Sequence, residues 1–231
     1  MASKTGLLKH LREANAEALL TGLDESPELV QFKDERGRNW LHLCASVSKR
    51  AFGAPSKRLA EGLLARGLDI NAPAFSEGTW HATPLWYAVA RGRNIELASY
   101  LLEYGSTPEH CLWAASFNED LEMLDLLIDH GATLEAVAEA ETPLLGAVKW
   151  SKFKAASFLL SAGADPNYQD AKRMTALHYM LKKNSDWKHF DMFVTNGAKG
   201  DISNADGQTA REIMRRKRDK RFHDLAGRLV S

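Results

Sequence analysis

Residues 142–167 read TPLLGAVKWSKFKAASFLLSAGADPN, and this stretch decides the fold. It opens on Thr-Pro-Leu (142–144), which is a helix start because threonine caps helices and proline is tolerated at the first helical position. The apolar spacing predicts a short helix to about Trp150 and a second helix over 153–161. Gly163 then suits the left-handed position that ends a helix. Two helices this short cannot bury their apolar faces alone, so they require copies of themselves on either side.

The same unit recurs along the chain. A glycine follows an apolar helical pattern at Gly67, Gly105, Gly131, Gly163 and Gly197. Helix-opening motifs lie between these glycines: NWLHLCA (39–45), TPLWYAV (83–89), TPLLGAV (142–148), TALHYML (175–181) and TAREIM (209–214). The openings at Thr142 and Thr175 are 33 residues apart, and those at Thr175 and Thr209 are 34 apart. Such a period is typical of a stacked helical repeat.

These motifs resemble the ankyrin-repeat family, whose unit of about 33 residues carries T-P-L-H-x-A in a turn followed by two helices. The resemblance implies an all-α solenoid of about seven units, forming a single domain over residues 1–231. Within it, about 1–36 would be an N-terminal capping repeat, 37–200 the central repeats and 201–231 a C-terminal capping repeat. The resemblance also implies a protein–protein interaction module that is not an enzyme and needs no cofactor.

Composition and charge favour a soluble protein. The chain is 45% hydrophobic and 26% charged, with zero formal net charge. The charges are segregated, because residues 94–148 hold 11 acids and no Lys or Arg, while 1–93 and 149–231 carry net charges of +3 and +8. Two cysteines indicate no disulfide framework, and no apolar run has the length of a membrane span. We therefore expect a cytoplasmic protein, monomeric alone, with no membrane association.

Three segments depart from the regular repeat. Residues 48–57 (SKRAFGAPSK) and 71–80 (NAPAFSEGTW) are longer than the family unit allows. Because insertions in a solenoid go to loops, both are candidate contact loops, although plain tolerated insertions explain them equally well. Between Gly105 and Gly131 only 26 residues remain, so the projecting turn of the fourth repeat is largely missing. That loss predicts a local opening or kink of the stack.

The variable positions of the first helices form the candidate binding site. In the family motif these positions face the concave groove rather than the core, and large aromatic side chains there are typical of interface hot spots. The predicted aromatic anchors are Tyr87, Trp113, Phe117, Trp150 and Tyr179, with Trp80 and Trp86 flanking them. The predicted charged contacts are Arg91, Lys149, Lys182 and Lys183, which would favour an acidic partner surface. Packing of some aromatics against neighbouring repeats is the alternative interpretation.

No catalytic or metal site is predicted. His42 and His178 occupy the family's histidine position, and the resemblance implies that the imidazole there bonds to nearby turn backbone and to the threonine hydroxyl. The remaining histidines lack ligand spacing, and no phosphate-binding or nucleophile motif is present. Cys44 and Cys111 occupy small or apolar positions of first helices, which indicates buried, inert thiols.

The best interpretation is a non-catalytic protein that grips one folded protein partner in its concave groove. One version is a bacterial inhibitor or immunity-type protein, and an adaptor that recruits a partner to a larger complex is equally compatible. The run RRKRDKR (215–221) leaves a further alternative, a nucleic-acid-associated protein. A solvated cap at the junction of the last two helices explains that run more simply, so nucleic acid is not the expected partner.

Overall fold

The structure is a computed structural model that describes residues 2–47, 49–77, 80–138 and 140–230, with the backbone only for 49–54 and 76–77. Contacts divide the chain into two compact units. Unit 1 comprises Met1–Cys111 and Asp129–Ala132, and unit 2 comprises Leu112–Ile128 and Thr133–Ser231. The boundary at Cys111 falls where the sequence lacks the turn of the fourth repeat.

Unit 1 is built from pairs of helices in two layers. Its α-helices are α1 (Lys4–Arg12), α2 (Ala16–Glu25), α3 (Trp40–Ser46), α4 (Lys49–Ala65), α5 (Pro84–Tyr87) and α6 (Ile95–Glu103). A 3₁₀ helix covers Pro27–Gln31, and a π-helical turn, Ala88–Gly92, continues α5. Two short strands, β1 (Ser76–Glu77) and β2 (Trp80–His81), pair antiparallel. The first helices α3 and α5 pack together, and the second helices α2, α4 and α6 form the other layer.

Unit 2 repeats the same plan. Its helices are α7 (Cys111–Asn118), α8 (Leu121–Asp129), α9 (Pro143–Lys149), α10 (Phe153–Ser161), α11 (Ala176–Lys182), α12 (Trp187–Thr195), α13 (Ala210–Arg215) and α14 (Lys220–Arg228). Helices α9, α11 and α13 pack in one layer, and α10, α12 and α14 in the other. Across the described residues the fourteen α-helices form seven pairs. The predicted all-α class and the count of about seven units are therefore confirmed.

Local chemistry explains where the helices begin and end. The hydroxyls of Thr83, Thr142 and Thr209 each accept a hydrogen bond from the backbone N–H three residues later. This bond satisfies one of the free donors at a helix start. Gly163 has a φ of +96°, a left-handed conformation that costs glycine little, and it ends the second helix as predicted.

The same hydrogen-bond geometry recurs in the turn before three of the first helices. Asp34, Asp170 and Asn204 each lie five residues before the N-cap of a first helix. Each side-chain oxygen accepts two backbone N–H groups, those of the residues two and four positions later. Such bonds are typical of Asx turns, so this residue fixes the projecting turn.

The two predicted insertions have different structures. Apart from Ser48, which lies outside the described residues, the segment 48–57 is helical and extends α4 at its N-terminal end. The expectation of a loop there is wrong, because the extra residues continue the backbone hydrogen bonding of α4. The segment 71–80 includes β1 and the first residue of β2 and is an irregular connection between α4 and α5, although Gly78 and Thr79 lie outside the described residues.

The core of each unit lies between its two layers of helices. In unit 1 it contains Leu41, Leu63, Leu85 and Leu101, and in unit 2 Leu127, Leu144, Leu159, Leu177 and Phe193, all at most 1% exposed. Within the described ranges, none of the helices combines the length and apolar character needed to cross a bilayer.

Candidate partner-binding surfaces

The clearest candidate surface lies on unit 2 and consists of Trp113, Phe117 and Trp150, which we call the aromatic patch. Trp113 and Phe117 are one turn apart on α7, and their rings stack with centroids 5.6 Å apart. Trp150 follows α9 and meets Phe117 edge to face, with centroids 5.2 Å apart. Phe117 is 38% exposed and Trp150 54% exposed, so these rings form an apolar surface open to solvent.

A glycine positions the inner edge of the aromatic patch. A Cβ atom added at Gly146 would lie 2.6 Å from Trp113 Nε1 and 3.1 Å from Glu141 Oε2. Both distances are shorter than van der Waals contact, so only glycine lets the half-buried indole of Trp113 lie against α9. The variable position at Gly146, which the sequence leaves without a side chain, is therefore filled by the preceding repeat.

A partly buried ion pair lies next to Trp113 of the aromatic patch. Glu141 is 6% exposed and is ion-paired and hydrogen-bonded with Lys149. The other carboxylate oxygen of Glu141 accepts a hydrogen bond of 3.5 Å from Trp113 Nε1. The ammonium of Lys149 also lies 5.1 Å from the ring centroid of Tyr179, within range of a cation–π interaction. Lys149 is thus compensated within the protein, which differs from the expectation that its charge faces an acidic partner.

Tyr179 continues this network to the next turn. Its hydroxyl donates a hydrogen bond of 2.5 Å to Asp170 Oδ2. Burial, the bond to Asp170 and the nearby carboxylates of Asp170 and Glu141 together raise the pKa of Tyr179. Burial by itself would raise the pKa of Asp170, but the hydrogen bonds from Tyr179, Met174 and Lys172 outweigh it and lower that pKa. Half-buried Tyr179 therefore stays protonated and acts as a fixed donor.

The two remaining lysines of the predicted site differ in role. Lys183 donates hydrogen bonds to the Lys149 carbonyl oxygen at 2.7 Å and to Ser151 Oγ at 2.6 Å. These bonds hold the chain on both sides of Trp150. Lys182 is exposed at the end of α11, and it makes no ion pair within the part of the chain that the structure describes. Lys182 is thus the lysine with a charge available to a partner.

The aromatic residues of unit 1 form a second cluster. Trp80 on β2 lies between Phe75 and Trp86, with ring centroids 5.6 and 5.2 Å away. Trp86 in turn meets Tyr87 edge to face at 5.2 Å. Phe75 is 51% exposed, whereas Tyr87 is only 9% exposed and packs edge to face on His42. Tyr87 therefore supports Trp86 from beneath and offers little surface of its own, unlike the exposed anchor expected from its position.

Arg91 lies beside this cluster on the π-helical turn. The turn approaches α3 closely, because a Cβ atom added at Gly92 would lie 2.3 Å from the carbonyl oxygen of Ala45. Arg91 is exposed and lines a pocket together with Trp80, Trp86 and Phe75. Insertion of a π-turn in a helix is frequent at functional sites because it redirects side chains.

The histidines and cysteines have the predicted structural environments. His42 Nε2 donates to the Ala72 carbonyl oxygen at 2.9 Å, and His178 Nε2 donates to that of Gln208 at 3.1 Å. Burial lowers the pKa of His42 to about 4 and also lowers the pKa of His178.

The thiols of Cys44 and Cys111 are both buried, and burial raises the pKa of Cys44 to about 12. Neutral thiols of this kind are poor nucleophiles. Among the described residues, no three His, Cys, Asp or Glu side chains are grouped to hold a metal ion.

The basic run 215–221 lies at the junction of α13 and α14, as expected. Arg221 is ion-paired with Asp219 at 2.7 Å, and its guanidinium lies 5.3 Å from the ring of Trp187. Lys217 donates to Asn184 Oδ1 at 2.9 Å. Two of its charges are thus engaged within unit 2.

Sequence reasoning missed the residues that support these surfaces. Glu141 carries no distinguishing signal, since it is one of the 11 acids of residues 94–148. Asp170 could have been found, because Asp34 and Asn204 occupy the same position relative to their helices. Phe75 falls in the flagged segment 71–80, but nothing in the sequence places it against Trp80.

Comparison with known proteins identifies the repeat. Residues 141–171, which carry Glu141, Gly146, Lys149 and Trp150, match the family model of the ankyrin repeat. This stretch is an ankyrin repeat. A fowlpox virus (strain NVSL) protein named as an ankyrin repeat protein, FPV022, is 28% identical over 170 residues. That match covers 71% of this chain and 27% of the relative, so the chain spans about a quarter of the length of this curated relative.

Solved ankyrin repeat domains share the fold. The human ASB11 ankyrin repeat domain has a TM-score of 0.73 at 20% identity, over 97% of this chain and 98% of that one. The ankyrin repeat domain of Bcl-3, a member of the IkappaB protein family, has a TM-score of 0.75 at 19% identity, over 97% and 99%. Ankyrin repeat domains generally mediate protein–protein interaction.

Proposed function

We propose that this chain is a non-catalytic binding protein whose aromatic patch grips a folded protein partner in the cytoplasm. The observation that carries the proposal is the pair of exposed rings, Phe117 and Trp150, which meet edge to face beside Trp113. Large exposed apolar groups cost solubility, so they mark interaction sites when they are grouped and rimmed by polar residues. Here Lys152, with its ammonium 5.7 Å from the ring centroid of Phe117, provides part of that polar rim.

Rigidity supports this assignment. Trp113 is held by Gly146 and Glu141, and Lys183 fixes the backbone beside Trp150. A preorganised side chain loses less conformational entropy on binding, so more of the contact energy appears as affinity. Tryptophan and tyrosine dominate interface hot spots, where truncation of one residue costs about 2 kcal/mol or more.

Unit 1 supplies the second predicted contact area. One pocket of this unit is lined by Trp80, Trp86 and Arg91, and we propose that these residues contact another part of the same partner. Within unit 2, Tyr179 and Lys149 are positioning residues, while Trp113, Phe117, Trp150 and Lys182 are the contacts. Tyr87 and Lys183 are positioning residues as well, because Tyr87 packs against Trp86 and Lys183 holds the backbone beside Trp150.

The test compares three forms of the full chain as bait in the native cell extract. The double variant Phe117→Ala/Trp150→Ala removes the exposed rings and leaves Trp113 in place. Tyr104→Ala is the matched control, because Tyr104 is 63% exposed but lies at the end of the second helix α6. We expect one protein that wild type and Tyr104→Ala retain and that the double variant loses. Equal capture by all three forms, with the fold intact by circular dichroism, would refute the aromatic patch as the binding site.

The purified partner then separates the two versions of the proposal. An inhibitor, whether of immunity type or not, lowers the activity of the captured protein at stoichiometric concentration. An adaptor leaves that activity unchanged and brings a third protein into the complex. Measuring the partner's activity with and without this chain therefore assigns the role.

A further inference from the structure

Unit 1 carries two adjacent pockets on its first-helix side, which we call the paired pockets. The first, of about 810 Å³, is lined by Leu8, Phe32, Leu43 and Val47. The second, of about 740 Å³, is lined by Phe75, Trp80 and Trp86. Both share Glu35, Arg36 and Arg38, so they lie on either side of the turn that Asp34 shapes. Each pocket thus has apolar walls and a charged rim.

The rim of the paired pockets is predominantly cationic. Its cationic side chains are Lys4, Arg12, Lys33, Arg36, Arg38 and Arg91, against two acids, Asp34 and Glu35. Arg38 is engaged, because its guanidinium binds Asp34 with contacts of 2.7 and 2.8 Å. Arg36 and Arg91 are exposed, and neither forms an ion pair with another residue in the described ranges. Two guanidinium groups therefore remain available beside apolar pockets.

We propose that the paired pockets bind an extended acidic peptide segment that places one hydrophobic side chain in each pocket. Arginine recognises carboxylates through paired, charge-assisted hydrogen bonds, which accounts for Arg36 and Arg91 at the rim. The aromatic and aliphatic walls take the two side chains. The inference rests on the proposed function, because the segment belongs to the protein partner, but it concerns unit 1 and not the aromatic patch of unit 2.

A peptide fits this surface better than a nucleic acid. Glu35 lies on the turn between the two pockets, where a phosphate backbone with a charge on every nucleotide would be repelled. A peptide can place a neutral or basic residue opposite Glu35 and keep its carboxylates at Arg36 and Arg91. Of the described side chains, Lys4 also has its ammonium 4.5 Å from the ring centroid of Phe32, so the first pocket is cationic at its apolar wall as well.

The test selects displayed random 12-residue peptides on the immobilised full chain and measures the enriched peptides by fluorescence anisotropy. We expect enriched sequences with two hydrophobic residues flanked by Asp or Glu. Their affinity should fall about tenfold in Arg36→Glu/Arg91→Glu and in Phe75→Ser, since charge reversal and loss of an apolar contact both weaken binding. Arg58→Glu, with a side chain 68% exposed on α4, reverses one arginine charge outside the pockets and should leave affinity unchanged.

Each contrary outcome overturns the inference. These outcomes are that no peptide is enriched, that enriched peptides lack acidic residues, or that affinity is the same in Arg36→Glu/Arg91→Glu as in wild type. The inference would also be overturned if a single-stranded oligonucleotide displaced the labelled peptide from the protein more strongly than the same peptide without its label. Peptide binding should persist in Phe117→Ala/Trp150→Ala. The double variant Phe117→Ala/Trp150→Ala separates the two proposals. If it still captures the native partner, while peptide affinity falls in Arg36→Glu/Arg91→Glu as expected, the proposed function fails and this inference stands.

Discussion

Glu141 and Lys149 bracket helix α9 and form an ion pair under the side chain of Trp113. The carboxylate is almost fully buried, and the ammonium end retains partial exposure, with 28% of the lysine side chain accessible. Each charge of the pair is therefore compensated by the other next to the indole of Trp113. We expect the pair to affect partner binding only by fixing the position of that indole.

Replacing Glu141 by glutamine is the first prediction. Glu141→Gln leaves Lys149 partly buried without a counter-charge, which we expect to lower the free energy of unfolding by about 1–3 kcal/mol. Adding Lys149→Met should restore part of that loss, because the uncompensated charge is then gone. Urea titration of the two single variants and the double variant measures the coupling. Strictly additive losses would mean that the two residues do not interact.

Gly146 provides the second prediction. Gly146→Ala places a Cβ atom 2.6 Å from Trp113 Nε1, so the indole must move and partner binding should weaken by about tenfold or more. The matched control is Gly227→Ala in α14, where an added Cβ meets nothing within 4 Å. The control should stabilise the protein by about 0.5–1 kcal/mol through helix propensity alone. If both variants gain stability and bind equally well, Gly146 does not position Trp113.

A pH dependence follows from His42. Its pKa is about 4 in the folded protein and 6.5 in the unfolded chain, so the unfolded state takes up the proton first as the pH falls. The contribution to stability is complete above pH 6.5, decreases between pH 6.5 and about 4, and amounts to about 3 kcal/mol in total.

The His42→Gln variant isolates this effect from the carboxylates and from His178, which both proteins keep. We expect wild type to exceed the variant in the free energy of unfolding at pH 7.5, and the difference to shrink by about 2–3 kcal/mol by pH 4.5. Denaturation at both pH values measures it. A difference independent of pH would show that His42 is not buried as the neutral form.

Asn167 supports the fourth prediction. Its amide donates to the Gly197 carbonyl oxygen at 3.2 Å and accepts from the Lys199 N–H at 2.7 Å, so it joins one repeat to the next. Asn167→Ala should therefore cost about 1–2 kcal/mol of unfolding free energy. Asn196→Ala is the control, because its amide bonds only within its own helix, to the Met192 carbonyl oxygen. Equal losses in the two variants would contradict a role between repeats.

The spacing of apolar residues was sufficient to predict the repeats, because every repeat must bury the same helix faces in the core. The second helix of the opening segment runs over Phe153–Ser161 as predicted, and Gly163 adopts the left-handed conformation. The extension of α4 to Lys49 was not predictable from loop-length rules, since an insertion can lengthen a helix as well as a loop. Here the inserted residues make backbone hydrogen bonds of the α-helical kind, so the helix lengthened and the loop did not.

The candidate surfaces were predictable by position but not by exposure. Phe117 and Trp150 are exposed, whereas Tyr87, at a different variable position, is only 9% exposed and packs against Trp86 and His42. The sequence pattern names the variable positions, but these ring contacts decide which side chains stay exposed. Likewise, the charge of Lys149 could not be assigned from sequence, because its partner Glu141 becomes its neighbour only when α9 forms.

The glycine at position 146 also bears on how this surface can be moved to another protein. Trp113 comes from the fourth repeat, its seat at Gly146 from the fifth, and the lysine over Tyr179 links the fifth repeat to the sixth. A single grafted helix would carry the rings without their support. The smallest portable form is therefore the run of three consecutive repeats from Cys111 to Gly197. A library of variants should diversify these three repeats together, because a change in one repeat alters the support of a ring in the next.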